Sequence, residues 1–100
     1  MTTYSFTLYV AGRTPRSEEA VSNLRRLCDG LLHGAYELQI VDAVERPELA
    51  EEGRVLATPT VIRLAPPPKR RVIGDLSDHR RAAAALGLPG PHEFLTEVQP

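Results

Sequence analysis

The stretch "VLATPTVIRLAPPPKRRVIGDL", residues 55–76, decides how this chain folds. Two short β-rich runs, "TVIRLA" at 60–65 and "RRVIGD" at 70–75, stand on either side of Pro66-Pro67-Pro68, and Pro59 precedes the first. Proline lacks an N–H and is excluded from helix interiors and central strand positions, but it suits a strand mouth or a stiff link. The two runs are therefore expected to pair as an antiparallel hairpin across the prolines. Lys69, Arg70 and Arg71, which follow directly, read as a solvated turn.

Upstream of the hairpin, residues 4–10, "YSFTLYV", alternate Tyr4, Phe6, Leu8 and Val10 on one face, with Tyr9 on the other. That pattern predicts a strand covered on both sides. Thr14 then offers an N-cap, Pro15 the first helical position, and Glu18 and Glu19 complement the positive end of the helix dipole. Ala20, Val21, Leu24, Leu27, Cys28 and Leu31 form one apolar helical stripe that Gly34 would end. "YELQIVD" at 36–42 repeats the strand pattern, so the first half predicts a βαβ unit with parallel strands. Pro47 opens a short helix through Glu52, closed by Gly53.

Downstream, Ser77 is the expected N-cap of "DHRRAAAAL", whose alanines favour helix, and Gly87 is its stop. "HEFLTEV", 92–98, fits either a helical turn or a short strand. The order β-α-β-α-β-β-α is that of an α/β, thioredoxin-like single domain spanning residues 1–100.

Composition narrows the function classes. Twelve Lys and Arg against 13 Asp and Glu leave a net charge of −1, with 42% hydrophobic residues. Nothing in that balance calls for nucleic acid or an anionic membrane. No apolar run approaches the ~20 residues of a membrane span, no signal peptide is recognised ahead of Tyr4, and Cys28 is the only cysteine. The expectation is a cytoplasmic protein with no disulfide. His33, His79 and His92 share no metal-ligand spacing, so neither metal nor cofactor is expected.

Thioredoxin-like enzymes place a reactive thiol where the first strand feeds the first helix, because the helix dipole lowers its pKa. Here that junction reads Gly12-Arg13-Thr14-Pro15-Arg16-Ser17 and carries no cysteine. Cys28 lies about three turns further on, inside the apolar stripe, where a thiol is expected to be inert. Thr14 or Ser17 could serve a divergent thiol- or glutathione-dependent oxidoreductase, although helix capping is the commoner use of both. Asp42 and Asp75 sit at ordinary capping or turn positions. The expectation is no enzyme. Thr58-Pro59-Thr60 marks the place of the cis-proline of thioredoxin-like folds, a backbone edge able to receive an extended partner.

The segments "LYVAGRTPRS" (8–17), "LAEEGRVLATPT" (49–60) and "APPPKRRVIGDLSD" (65–78) resemble the KaiB family of circadian-clock proteins. The likeness runs from about Tyr4 to Asp78. It implies a non-catalytic regulatory binding module that docks on a KaiC-type ATPase and modulates clock phase and phosphorylation. It also implies KaiA as a further partner and a SasA-type kinase as competitor. Members of the family switch between a tetrameric ground state, with a β-α-α-β second half, and a monomeric thioredoxin-like state that binds KaiC. The resemblance places Glu48, Glu51, Glu52, Arg54, Thr58, Pro59 and Thr60 near the KaiC-facing surface. Beyond Asp78 the sequence departs from the family pattern: Pro89-Gly90-Pro91 replaces a longer apolar helix, and no acidic tail follows. The alanine run favours the helix that the thioredoxin-like state uses, so that state is expected even without a partner. A KaiB-like stress-related protein with no clock partner is the other reading of the same resemblance.

Overall fold

The computed structural model describes residues 3–89. Strand β1 (Tyr4–Val10) leads into helix α1 (Pro15–Leu32), strand β2 (Tyr36–Asp42) and helix α2 (Pro47–Glu52). Strands β3 (Thr60–Ala65) and β4 (Arg70–Ile73) and helix α3 (His79–Leu86) complete the order. The sheet order is β2-β1-β3-β4, with β1 parallel to β2 and antiparallel to β3, and β3 antiparallel to β4. The thioredoxin-like α/β arrangement expected from the sequence is the one observed.

Strand alternation sorts the sheet into two faces. Phe6, Leu8, Val10 and Val61 point into the main core with Leu24, Leu27, Cys28, Ala82, Ala83 and Leu86 from α1 and α3. Tyr9, Val41 and Ile62 point the other way and pack with Leu49, Ala50 and Val55 from α2 and the segment after it. Tyr9 therefore buries the second face of β1, as its placement in the strand predicts.

The caps follow the local chemistry, with one correction. Thr14 Oγ1 accepts the Ser17 amide at 3.1 Å, and Pro15 is the first helical residue. At the other end α1 closes through two consecutive left-handed residues, the C-cap His33 (φ +48°) and the expected Gly34 (φ +84°). The N-cap of α3 is Asp78, not Ser77. Asp78 Oδ1 accepts the Arg81 amide at 3.1 Å, whereas the Ser77 amide donates to Asp75 Oδ1 at 3.0 Å. A carboxylate two residues upstream holds Ser77 in the turn, and that shifts the helix start by one residue. Gly87 closes α3 with φ +67°. Strand β4 ends at Ile73, two residues short of the predicted run, because Gly74 adopts φ +120°. The ambiguous segment 92–98 lies outside the described residues.

Arg63 is the feature that composition conceals. It is 4% exposed on the α1–α3 side of β3. Its guanidinium donates to the Leu86 carbonyl at 2.8 Å and the Pro68 carbonyl at 2.9 Å, and lies 5.8 Å from the Tyr4 ring centroid. One side chain thus ties the end of α3 and the proline link to the sheet.

Candidate functional site

The first strand–helix junction carries no cysteine. Thr14 Oγ1 donates to Ser17 Oγ at 3.0 Å while accepting the Ser17 amide, so the Thr14 hydroxyl is engaged in the cap, and Ser17 is buried. Asp42 braces the same junction from β2: one carboxylate oxygen accepts the Val44 amide at 2.9 Å and the Gly12 amide at 3.1 Å. These bonds, that from Val44 foremost, hold its pKa below the ordinary carboxylate value. Cys28 is fully buried in the core, and burial, with a smaller contribution from Asp29, pushes its thiol up to about 12. A protonated, enclosed thiol is a packing group. Among the described residues no three His, Cys, Asp or Glu side chains come together to hold a metal.

The surface features gather instead on the α2 side. Helix α2 covers only one end of its sheet face, over Tyr9, Val41 and Ile62. Beyond that cover lies an open groove of about 500 Å³ floored by Thr7, Gln39 and Leu64, with Glu52, Arg54, Lys69 and Arg71 on its walls. Arg71 crosses from β4 to the end of α2, donating to the Gly53 and Arg54 carbonyls at 2.6 and 3.0 Å. The predicted solvated turn at 69–71 thus includes a cation that fixes α2 against the hairpin.

On the outer side of α2, Ala43, Pro47, Ala50, Val55 and Leu56 form an apolar hollow bordered by Glu51 and Arg54. Leu56 is 97% exposed and Val44 is 70% exposed. Exposed apolar side chains beside an apolar hollow make this side of α2 the candidate interaction surface.

The residues singled out in the sequence divide between these surfaces and the interior. Glu52 and Arg54 line the groove, and Glu51 and Arg54 the hollow. Glu48 is exposed and bonded to Arg46 Nε at 2.7 Å, which lowers its pKa. Thr58 is half-buried, and the Thr58–Pro59 peptide is cis. Pro59 and Thr60 are buried. The Pro59 carbonyl already accepts the Gly74 amide at 2.9 Å, and Thr60 Oγ1 donates to the Ala57 carbonyl at 2.6 Å. Sequence reasoning did not single out Val44 or Leu56, placed Tyr9 only on the second face of its strand, and took Arg71 only as part of a solvated turn. A leucine between Val55 and Ala57, outside any periodic segment, was the available signal for Leu56.

Fold and site together define a thioredoxin-like domain with a capped, thiol-free junction and an exposed apolar hollow beside α2. Comparison with known proteins gives the family. The chain matches the KaiB domain over residues 7–88 and belongs to the KaiB family. A circadian clock oscillator protein KaiB of Prochlorococcus marinus (strain MIT 9312) is 46% identical over 97 residues, covering 97% of this chain and 90% of that protein. The namesake of Synechococcus sp. (strain RCC307) is 48% identical over 86 residues, covering 86% of this chain and 78% of its own length. Among solved structures, the N-terminal domain of Synechococcus elongatus SasA superposes with a TM-score of 0.70 at 22% identity, covering 87% of this chain and 86% of that one. Mitochondrial thioredoxin 3 of Saccharomyces cerevisiae gives 0.66 at 16% identity, covering 85% and 78%. Likeness at these identities concerns the fold alone.

Proposed function

We propose that this chain is a non-catalytic clock module that docks on a KaiC-type ATPase through the surface around α2. The supporting observation is the hollow beside α2, where almost fully exposed Leu56 stands between charged Glu51 and Arg54. An apolar centre with a polar rim is the usual anatomy of a protein–protein interface. KaiA and a SasA-type kinase are the further partner and the competitor that the same family membership suggests.

Docking is expected in the thioredoxin-like arrangement, which the alanine-rich α3 supports without a partner. The competing reading is the β-α-α-β second half. NMR assignment of the free protein distinguishes them, since strand shifts at 60–65 agree with this proposal and helical shifts overturn it.

The decisive experiment is size-exclusion co-elution with a KaiC-type ATPase in each nucleotide state, using the wild-type chain, Leu56→Glu and Arg54→Glu. Co-elution of the wild type, lost in both variants, is the expected result. A wild type that never co-elutes favours the stress-related reading, and variants that bind normally remove the α2 surface from the interface.

A further inference from the structure

On the opposite face, helices α1 and α3 leave a second groove, of about 400 Å³, lined by Arg26, Leu27, Gly30, Leu31, His79, Arg80 and Ala83. Its floor is apolar. Its rim is basic: Arg26 and Arg80 are exposed, and His79 is half-buried with Nε2 3.1 Å from Asn23 Oδ1. Among the described residues no carboxylate lines it, although the chain as a whole carries slightly more acid than base.

Gly30 adds an independent observation. It lies inside α1 and is exposed, and a Cβ built there meets nothing within 4 Å. Glycine inside a helix is less stable than alanine, and its missing Cβ suits a position where a ligand approaches the backbone closely. Packing within this chain does not require Gly30, and its bare surface opens the groove along α1.

We propose that the α1–α3 groove docks an acidic amphipathic segment of a partner protein. Its apolar side chains rest on Leu27, Leu31 and Ala83, and its carboxylates face Arg26 and Arg80. An amphipathic helix laid in a groove reads such a pattern with residues spaced three and four apart. The apolar floor suits a peptide better than a phosphate backbone, which needs donors along its whole track. This surface is separate from the one around α2.

Fluorescence anisotropy with two labelled helical peptides tests the proposal. One peptide carries leucines along one face and glutamates along the other; its counterpart has every glutamate replaced by lysine. The acidic peptide should bind at least about tenfold more tightly, and salt should weaken it, because the rim pairs are screened by ions. Arg26→Glu combined with Arg80→Glu should reverse the preference, and Gly30→Gln should abolish binding by filling the groove. Leu56→Glu should bind the acidic peptide as the wild type does, which separates this result from any failure at α2. Equal affinity for the two wild-type complexes overturns the proposal without recourse to any variant. So does acidic-peptide binding unchanged by the groove substitutions. A concentration-dependent dimer seen by light scattering and abolished by Gly30→Gln also overturns it, by making a second copy the occupant.

Discussion

The hydroxyl of Tyr9 stands directly against Gly53: a Cβ on Gly53 would fall 2.7 Å from Oη and 3.0 Å from Cζ of the tyrosine. Gly53 has φ −79°, an ordinary value for any residue, so its glycine is required by proximity and not by backbone conformation. Tyr9 is 9% exposed and packed against Val41 and Ile62, so it has little freedom to retreat. Gly53→Ala should therefore cost about 1–3 kcal/mol, the range for overpacking. Adding Tyr9→Phe removes the clashing oxygen and should recover much of the loss. A double-mutant cycle in urea measures the coupling, and additive effects would refute the contact.

Arg63 is expected to matter more for stability than any other cation. Arg63→Met keeps most of the packing volume but leaves the Leu86 and Pro68 carbonyls without their charged donor. Hydrogen bonds to charged groups contribute about 1.5–3 kcal/mol each, so a loss of about 2–4 kcal/mol is expected. Arg63→Lys should lose less but still fall short, since an ammonium cannot reproduce the fork. Thermal denaturation of both variants reads this directly, and a wild-type midpoint for Arg63→Met would show that the lock contributes nothing.

Cys28 should resist thiol reagents in the native protein and react only as fast as the chain unfolds. Its thiol is pushed up to about 12 in the fold, against an ordinary value of 9.0. Between those values the unfolded chain has released the proton and the folded chain retains it. Stability should therefore fall as pH rises from 9.0 towards 12 through this group. Comparing wild type with Cys28→Ala across that range isolates the effect, and parallel curves would contradict it.

Asp42 predicts the opposite pH behaviour at the acidic end. Its folded pKa lies below the ordinary 3.8 because the Val44 and Gly12 amides bind the ionised form. The stabilisation is present above the ordinary value and is lost as pH falls through the lower folded one. The amide resonances of Gly12 and Val44 should titrate together, with a midpoint below 3.8. Separate midpoints would mean that one carboxylate does not serve both.

Gly30→Ala should stabilise the protein by about 0.5–1 kcal/mol, because the added methyl meets nothing and the helix gains propensity. Urea unfolding measures the gain. A destabilised variant would indicate that the space above Gly30 is filled in the folded protein.

Much of this architecture was legible in the sequence, because its signals are local. Alternation in 4–10 and 36–42 set both faces of β1 and β2, Thr14-Pro15 started α1, and the three prolines separated β3 from β4. What escaped depends on neighbours distant in sequence or on competition within a turn. Asp75 took Ser77 and moved the α3 cap to Asp78. Ile40 shares a face with Leu38 yet is 41% exposed, because β2 lies at the sheet edge and sequence alone does not give strand order. Arg63 was readable in part, since it shares the parity of Val61 and so had to face inward. The carbonyls that accept its charge belong to α3 and the proline link, and no local pattern connects them. Within the candidate surface, Glu51, Glu52 and Arg54 were marked by resemblance, whereas Leu56 emerged only from its exposure.

The sheet order has a kinetic consequence. The β1–α1–β2 unit closes over a short span of chain, and so does the β3–β4 hairpin. Among the described residues the strand pairing between these halves is the β1–β3 seam, where positions 5–9 meet positions 60–65. Distant pairings of this kind carry the loop-closure entropy that slows folding. The seam is therefore where two locally closed halves must commit to one another, and substitutions at Phe6, Leu8 or Val61 are expected to slow folding more than those within either half.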